Sequence, residues 1–423
     1  MRMVKEPGRE LRIKAEFDVI VCGGGPAGIA AAIAAARRGA RTFLIEANGS
    51  LGGIWTSGLL SYILDGDDKD GIMREIFDRL GRLQARSGIV CDVETMKLVV
   101  EEMCIEAGVV VRLYTRVSAA YCDGQGRLYG IVTDSKSGKE AWGAGIFIDT
   151  TGDGDLAAQA GAGFDYGQEE TGVTQPMSLI ALVRAGPPET YKEFAVNNGR
   201  SVRLYPEIVR GGYNPTYAKA GMSHIRDQLY IMMANHQYGL SGLDADHLTR
   251  ASMDSRQDLY RISEALRSLG GIWQDFRIVA TAAAIGVREG RRIKGRYTVT
   301  IDDMLQGRRH EDAVCRVTFK VDVHSPNPQD SKGMAAYNDM YRNEVKPYDV
   351  PLRALIARDV DGLLMAGRCI SGDFLAHSSY RVTGNAVPMG EAAGALAAAA
   401  VRMGVLPQYV PWQEVSDVLL PST

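Results

Sequence analysis

The sequence is poor in cysteine, and its cysteines are not spaced like metal ligands. Six cysteines occur among 423 residues, none in a Cys-x-x-Cys pair and none at regular intervals. That pattern argues against a zinc site and against a disulfide-rich secreted fold, and it is typical of chains in a reducing compartment. We therefore predict a cytoplasmic protein without a metal site.

Long apolar runs and an excess of either charge are also missing. The most apolar stretch, residues 386–401, is interrupted by Glu391 and is rich in Ala and Gly, so a buried helix is a better interpretation than a membrane span. The first 17 residues carry charge without an apolar core, unlike a secretory signal. The formal net charge of −3 gives no reason to expect nucleic acid or an anionic membrane as a partner.

A glycine fingerprint follows the first predicted strand. Gly23, Gly25 and Gly28 stand in the order G-x-G-x-x-G between the β-run 17–22 and an Ala-rich helix that begins near Pro26. Gly23 permits a tight turn, Gly25 lets a pyrophosphate approach the helix N-terminus, and Gly28 lets helix and sheet pack closely. The motif in this strand–turn–helix context predicts a dinucleotide site.

Further residues complete the predicted nucleotide site. Ala27 is a small neighbour of the third glycine, and Glu46 closes the second strand with Ala47 after it. An acid at that position can accept hydrogen bonds from a ribose diol. The fingerprint alone does not separate FAD from NAD.

Later motifs resemble those of FAD proteins. EANGSLGGIWTSGL resembles the double-glycine motif of the glutathione-reductase-like superfamily, FIDTTGDGDLA the turn that closes the FAD site, and GLLMAGRCISGDFLAHSSYRVTGNAVPMG the final flavin-contacting motif. The resemblance implies FAD as the cofactor. It also implies cofactor contacts from Gly52, Gly53, Thr56, Gly152, Asp153, Gly367, Arg368, Asp373, Asn385 and Ala386.

Together these motifs resemble the bacterial FAD-dependent oxidoreductase family, which is related to the succinate dehydrogenase and fumarate reductase flavoproteins. QPMSL, IGVREGRRIKGRYTVT and VDVHSP add to the likeness, which runs from about residue 17 to 405. We expect an α/β protein with a Rossmann-type FAD-binding domain, residues 1–160 and 350–423. An inserted α+β substrate domain, residues 161–349, would interrupt it.

Candidate catalytic groups lie in two of the motifs. HSSYRVTGN contains His377 and Arg381, and the resemblance implies that this arginine faces a substrate carboxylate, a task that suits its planar fork. The alternative is a structural pair outside the site. His324, in VDVHSP, could accept a proton at neutral pH or could be an ordinary surface histidine.

One position departs from the family pattern. In the succinate dehydrogenase pattern an acid holds the ribityl chain, and here Arg368 stands in its place. We expect Asp373 to make that contact from another direction. The change argues against a strict fumarate reductase.

The expected function is an FAD-dependent dehydrogenase or oxidase acting on a CH–OH or CH–NH group of a small polar substrate. Alternatives are a flavin-dependent reductase of an activated C=C bond and a protein with a structural flavin. The expected partners are the small-molecule substrate and an electron acceptor of unspecified kind, and a homo-oligomer is compatible with the sequence.

Overall fold

The structure is a computed structural model that describes residues 8, 10–196, 203–328, 336–341 and 343–416. The outermost ends of the predicted FAD-binding domain, 1–7 and 417–423, lie outside the described residues. The strands are β1 (Ile13–Cys22), β2 (Thr42–Ile45), β3 (Arg86–Ser87), β4 (Val90–Cys91), β5 (Val110–Arg112), β6 (Arg116–Cys122), β7 (Leu128–Ser135), β8 (Gly138–Asp149), β9 (Phe164–Asp165), β10 (Ala181–Arg184), β11 (Ala195–Val196), β12 (Gly221–Arg226), β13 (Leu229–Met233), β14 (Arg277–Thr281), β15 (Arg292–Ile293), β16 (Ala313–Val317), β17 (Tyr348–Pro351) and β18 (Leu363–Met365).

The first helix follows β1, and the last one ends at Ser416. They are α1 (Pro26–Arg37), α2 (Gly71–Arg82), α3 (Val93–Glu106), α4 (Asp155–Gln159), α5 (Pro188–Tyr191), α6 (Leu204–Arg210), α7 (Ala245–Ser268), α8 (Ile301–Gln306), α9 (Ala336–Tyr341), α10 (Phe374–Tyr380), α11 (Thr383–Met403) and α12 (Gln413–Ser416). Short 3-10 turns occur at Gly53–Trp55, Gly271–Trp273, Leu352–Leu355 and Pro407–Tyr409.

A parallel sheet forms the centre of the molecule. Its strand order is β5-β2-β1-β8, and β18 pairs with the last residues of β8 in the same direction. The first part of β8 instead pairs with β7, which continues antiparallel to β6. Residues Val19–Cys22 of β1 are fully buried, as expected of a parallel strand covered on both faces. The fold is α/β with a Rossmann-type sheet, as the sequence predicts.

The first and last long helices touch through their backbones. Gly390 and Gly394 lie one turn apart on the same face of α11. A Cβ atom at either glycine would overlap the carbonyl oxygen of Ala27 or Ala31 in α1. Only glycine allows two helix backbones to approach this closely. The two glycines therefore let α11 pack directly on α1, the helix that follows the glycine fingerprint.

A second sheet, β11-β12-β13-β10-β14, has its own hydrophobic core with α6 and α7. The buried residues of that core run from Leu179 to Ala282. Residues between Ile293 and Val350 pack instead with the first core. We propose on this basis that the insertion is smaller than residues 161–349, the range that the sequence indicated.

The described residues include no helix that is both long and apolar enough to cross a membrane. All six cysteines carry free thiols. In the parts of the chain that the structure describes, no group of three or more His, Cys, Asp or Glu side chains is arranged to hold a metal ion.

Candidate active site

The fingerprint glycines form a tight turn against the end of β8. Gly23 has φ +105°, and a Cβ there would lie 2.5 Å from the Thr150 carbonyl oxygen. A Cβ on Gly28 would overlap the Gly23 carbonyl oxygen. A Cβ on Gly25, by contrast, would meet no heavy atom within 4 Å. The first two constraints build the turn, and the open space at Gly25 is what a bound pyrophosphate requires.

The start of α1 faces that open space without a protein cap. Gly25 is the N-cap, Pro26 occupies the first turn, and no side chain accepts from the free N–H groups there. Unpaired N–H groups and the positive end of the helix dipole favour an anion at this point. Gly53 packs on Gly25, since a Cβ at Gly53 would lie 2.9 Å from the Gly25 Cα.

Glu46 is buried at the end of β2, beside the fingerprint. Its carboxylate accepts from Gly24 N at 2.6 Å and from Asn48 N at 2.7 Å, and only 5% of the residue is exposed. Ala47, the next residue, is exposed. The glutamate is thus fixed at the position expected for a ribose contact.

The other cofactor motifs converge on the same turn. Gly52 donates its N–H to Gly24 O at 2.8 Å, and Thr56 Oγ1 donates to Leu51 O at 2.6 Å, which supports the double-glycine loop from inside. Gly367 has φ +83°, and a Cβ there would lie 3.0 Å from the Cβ of Ala27. Segments that are far apart in the sequence therefore surround one space.

Arg368 and Asp153 form an ion pair at the edge of this space. Arg368 Nη1 lies 2.7 Å from Asp153 Oδ1, and the guanidinium covers Gly152, where a Cβ would lie 2.8 Å from Nη2. Only about a fifth of either side chain is exposed. The arginine that departs from the family pattern is thus neutralised by an acid from another predicted motif.

Asp373 is a helix cap in the structure. It is the N-cap of α10, with Oδ1 accepting from Ala376 N and Oδ2 from Ile301 N, both at 2.7 Å. Each carboxylate oxygen thus binds one backbone amide, and the ribityl contact of Asp373 stays a prediction.

The first residues of α11 pack beside Gly367. Gly384 N donates to Leu64 O at 3.1 Å, so this N–H is already paired within the protein. Asn385 is fully buried and accepts from Cys315 Sγ, while Nδ2 meets no partner of hydrogen-bond geometry among the described residues, although Asp65 is near. Ala386 is buried on the side of Gly367.

These observations test whether the residues fit FAD. The turn at Gly25 leaves room for a pyrophosphate, and α1 presents uncapped N–H groups towards it. Trp55, which follows the double glycine, is buried with no acceptor for Nε1 within the described chain. A cradle lined by unpaired donors fits a large polar cofactor.

His324 and Asp322 form a pair close to Arg381 and Arg288. His324 Nε2 lies 3.5 Å from Asp322 Oδ2, at the outer limit of a hydrogen bond. Burial and then the Arg288 cation lower the pKa of His324 to about 4, although Asp322 opposes the shift. Burial alone would raise the pKa of Asp322, but His324, Arg381 and Arg288 outweigh it and hold that pKa below its ordinary value. The pair is therefore a neutral imidazole beside a carboxylate.

Arg381 joins this pair at the end of α10. Nη2 donates to Asp322 O at 2.9 Å and to Gln175 Oε1 at 3.2 Å, and it lies 3.7 Å from Asp322 Oδ2. The side chain is 11% exposed. The structure thus brings Arg381 and His324 together through Asp322 and Gln175.

His377 lies one turn before Arg381 and is fully buried. Neither ring nitrogen has a partner of hydrogen-bond geometry in the described part of the chain. Burial, followed by the cations Arg292, Arg381 and Arg368, holds its pKa well below the ordinary value. The Arg368 backbone opposes this shift without reversing it, and none of the groups that shift it in the described chain is a carboxylate, so His377 is neutral.

A buried ion pair next to Gln175 supports the cluster. Glu289 Oε1 accepts from Arg292 Nη1 at 2.7 Å, and Oε2 accepts from Gln175 N at 3.1 Å. Arg292 is 1% exposed and also donates to Gly372 O and Gly167 O. This ion pair is a structural support, as its charged groups are used within the protein.

Aromatic side chains pack against the His324 ring. The ring centroid of His236 lies 5.0 Å from that of His324 with an interplanar angle of 70°, and Tyr217 lies 6.0 Å away. Tyr217 and His236 also pack on one another, with ring centroids 3.9 Å apart and an interplanar angle of 30°. The surroundings of His324 therefore include side chains that lie about 90 to 110 residues earlier in the chain.

Asp322 and Gln175 are site residues that the sequence analysis did not single out. A signal for Asp322 was present, because it stands two residues before His324 and alternate residues of an extended chain share a side. Gln175 opens the QPMSL motif, but its partners could not be predicted from the sequence, since its contacts come from segments about 150 and 200 residues away.

Comparison with known proteins identifies the family of the chain. The sequence model of a family described as FAD dependent oxidoreductase matches residues 18–419. Among solved structures, flavin-dependent brominase Bmp2 superposes with a TM-score of 0.51 at 12% identity, over 95% of this chain and 83% of that one. At that identity the likeness concerns the fold alone.

Other similar structures are more distant in shape. p-Nitrophenol 4-monooxygenase PnpA from Pseudomonas putida DLL-E4 has a TM-score of 0.48 at 12% identity, over 96% of this chain and 85% of that one. A geranylgeranyl bacteriochlorophyll reductase-like protein from Thermoplasma acidophilum has a TM-score of 0.49 at 12% identity, with coverage of 96% and 82%. The family match, which spans nearly the whole chain, and the cradle at Gly25 lead to one conclusion: the chain belongs to the FAD dependent oxidoreductase family, is an enzyme, and uses FAD as its cofactor.

Proposed function

We propose that this enzyme is a dehydrogenase or oxidase that moves a hydride between the flavin and a CH–OH or CH–NH group of a small polar substrate. FAD, when bound, accepts the hydride and passes the electrons to a second acceptor. The partners in this proposal are small molecules, the substrate and the electron acceptor.

The observation that carries the proposal is the cluster of His324, Asp322 and Arg381. Oxidation of a CH–OH or CH–NH group releases a proton with the hydride, so a nearby base is needed. His324 is neutral, and Asp322 beside it can stabilise the imidazolium that forms. Since Nε2 faces the carboxylate, the tautomer that donates from Nε2 leaves the lone pair of Nδ1 to take the proton.

Arg381 has a separate task. Its fork would bind an oxygen of the substrate and keep the reacting carbon in place, because a guanidinium stays charged and donates in a plane. A negatively charged substrate there would also offset the cations that lower the pKa of His324. Binding would therefore raise that pKa and make His324 a better base. His377, neutral and buried, would contribute as a hydrogen-bonding group.

The pH dependence tests the base. We expect the rate of flavin reduction to rise with pH through the pKa of His324 and then to level off, since the proton acceptor is the neutral ring. Asp322→Asn removes the anion that favours the imidazolium, so the acid limb should move to lower pH and the plateau rate should fall. Stopped-flow absorbance across pH measures both. A plateau equal to that of the wild type would contradict the role given to Asp322.

Arg381→Lys tests the substrate-binding role. A lysine keeps the charge but loses the planar fork, so the rate of anaerobic flavin reduction should fall by about 10²–10³, as for the loss of an oxyanion donor. The reductant is the compound that bleaches the flavin fastest in a panel of sugars, hydroxy acids and amines. FAD content should be unchanged, because the cradle at Gly25 does not include Arg381.

Arg74→Lys, an exposed arginine of α2, is the matched control and should reduce its flavin at the wild-type rate. The proposal fails if Arg381→Lys keeps the rate within about threefold of the wild type, or if the variant simply loses FAD. The same panel, with enoates added against chemically reduced enzyme, tests the opposite direction of electron flow.

A further inference from the structure

The Gln175 amide has a defined orientation. Its Oε1 lies 3.0 Å from His324 N and 3.2 Å from Arg381 Nη2. Both partners are donors, so the oxygen must face them and the amide cannot be reversed. The –NH₂ group is therefore directed away from Arg381 and the His324 backbone.

The Nε2 atom of Gln175 has no acceptor among the described residues, and the residue is only 2% exposed. Arg381 Nε is likewise buried without an acceptor in the described chain. A buried donor left without a partner is costly and uncommon in folded proteins. Two such donors on residues that bind one another indicate that an acceptor from outside the protein belongs there.

We propose that Gln175 determines substrate specificity, donating from Nε2 to an oxygen of the substrate next to Arg381. The inference rests on the proposed function, and it defines the substrate further: an oxygen acceptor, carboxylate or carbonyl, must stand at this position. An ammonium group there would face N–H donors and be rejected. Substrates of the site are therefore oxygen-bearing compounds rather than simple amines.

The backbone of Gln175 is held independently of its side chain, so the side chain can be substituted without moving the backbone. Glu289 accepts from the backbone N–H of Gln175 and is itself held by Arg292. Gln175→Glu has the same shape and keeps an oxygen for His324 N and Arg381. It replaces the free donor with a second acceptor that carries charge. Gln175→Met keeps the length and removes both functions.

Binding of small carboxylates to the FAD-loaded protein tests the proposal. Acetate, glycolate and succinate are titrated while the flavin absorbance spectrum is recorded, and ethanolamine serves as the ammonium analogue of glycolate. The wild type should bind at least one carboxylate and bind ethanolamine more weakly. Gln175→Glu should raise the Kd for that carboxylate at least about tenfold, and Gln175→Met should raise it less.

A second readout does not use the flavin absorbance. The same carboxylate should raise the melting temperature of the FAD-loaded wild-type protein and should do so less for Gln175→Glu. Gln125→Glu, at an exposed turn between β6 and β7, makes the same change of charge and should behave as the wild type.

The outcomes separate this inference from the proposed function. If Arg381→Lys slows flavin reduction but Gln175→Glu and Gln175→Met bind the carboxylate as tightly as the wild type, Gln175 has no part in recognition. The inference is equally overturned if the wild type binds none of the carboxylates or prefers ethanolamine. If Gln175→Glu weakens binding while Arg381→Lys reduces its flavin normally, the inference stands and the proposed chemistry is wrong.

Discussion

Gly25 and Gly28 belong to one motif but have different roles. Substitutions at the two positions should therefore have different effects. Gly25 has φ −75°, which any residue tolerates, and open space beside it. A Cβ on Gly28 would overlap the Gly23 carbonyl oxygen. We expect Gly25→Val to abolish FAD uptake while the FAD-free protein melts as the wild type does. Gly28→Val should destabilise the FAD-free fold by about 3 kcal/mol or more, as overpacking does.

Flavin absorbance after saturation with FAD and thermal melting of FAD-free protein measure the two effects. Gly39→Ala, at the end of α1, is the control for a glycine outside the turn, although its φ of +85° will cost some stability. A Gly25→Val protein that still binds FAD stoichiometrically would place the pyrophosphate elsewhere.

Single residues also show which parts of the site could be predicted from the sequence. Glycines at a fixed spacing indicate a particular backbone geometry. The structure places Gly23, Gly28 and Gly53 where a Cβ atom would overlap neighbouring backbone atoms. The motif predicts a cofactor contact for Asp373, and the structure shows in addition that this residue caps α10. A carboxylate can cap a helix or bind a ligand with the same atoms, and only the position of the neighbouring amides decides which.

At the scale of elements, α11 and α2 are joined by a buried acid. Glu391 in α11 accepts from Ile72 N in the first turn of α2 at 3.0 Å, and 5% of the residue is exposed. Burial raises its pKa to about 7, against the ordinary 4.5, with Glu75 adding to the shift and Arg37 and Arg38 opposing it. The folded protein therefore holds a proton here that the unfolded chain has released.

This proton makes stability depend on pH. Between about pH 5 and 8 the folded state binds more protons at Glu391 than the unfolded state, so its contribution to the free energy of unfolding falls as pH rises. Glu391→Gln keeps an acceptor for Ile72 N and removes the titration. We expect the variant to gain about 1–3 kcal/mol relative to the wild type between pH 5 and pH 8.

Urea unfolding of FAD-free protein at both pH values measures this difference. Glu102→Gln, an exposed glutamate on α3, is the control and should not change the pH dependence. If Glu391→Gln and the wild type lose stability in parallel as pH rises, the acid is already ionised at pH 5.

Elements with strong local signals were predictable. Asp92 caps α3, accepting from Thr95 N at 2.9 Å, and the turns at Asp123-Gly124 and Ser137-Gly138 join β6, β7 and β8 as the turn residues indicate. The second sheet had no such signal. Its strands pair across long separations, β10 with β14 and with β13, and local patterns do not encode those partners.

At the scale of the whole molecule, the contact between α1 and α11 links two helices that lie far apart in the chain. Gly394→Leu would put a bulky side chain where the Ala31 carbonyl oxygen lies. We expect a loss of about 3 kcal/mol or more and a matching loss of FAD, because displaced α11 also displaces Gly367 from Ala27. Melting temperature and flavin content of the purified protein are the measurements.

Arg402→Leu, an exposed position on the same helix, controls for the added apolar surface. It should melt close to the wild type and keep its FAD. A Gly394→Leu protein with wild-type melting and flavin content would mean that the two helices can separate without consequence for the cradle.

The helix contact also sets the order in which a newly made chain can mature. Ala27 and Gly390 are 363 residues apart (390 − 27), and at about 5–20 residues per second the ribosome needs about 20–70 s to make the segment between them. During that time the fingerprint helix has left the ribosome without α11, and its residues Ala27 and Ala31 lack the helix that packs on them. We expect the second core, whose residues lie between these helices in the chain, to fold first. The nucleotide-binding motif is translated before that core, yet it would become able to take up FAD only after it.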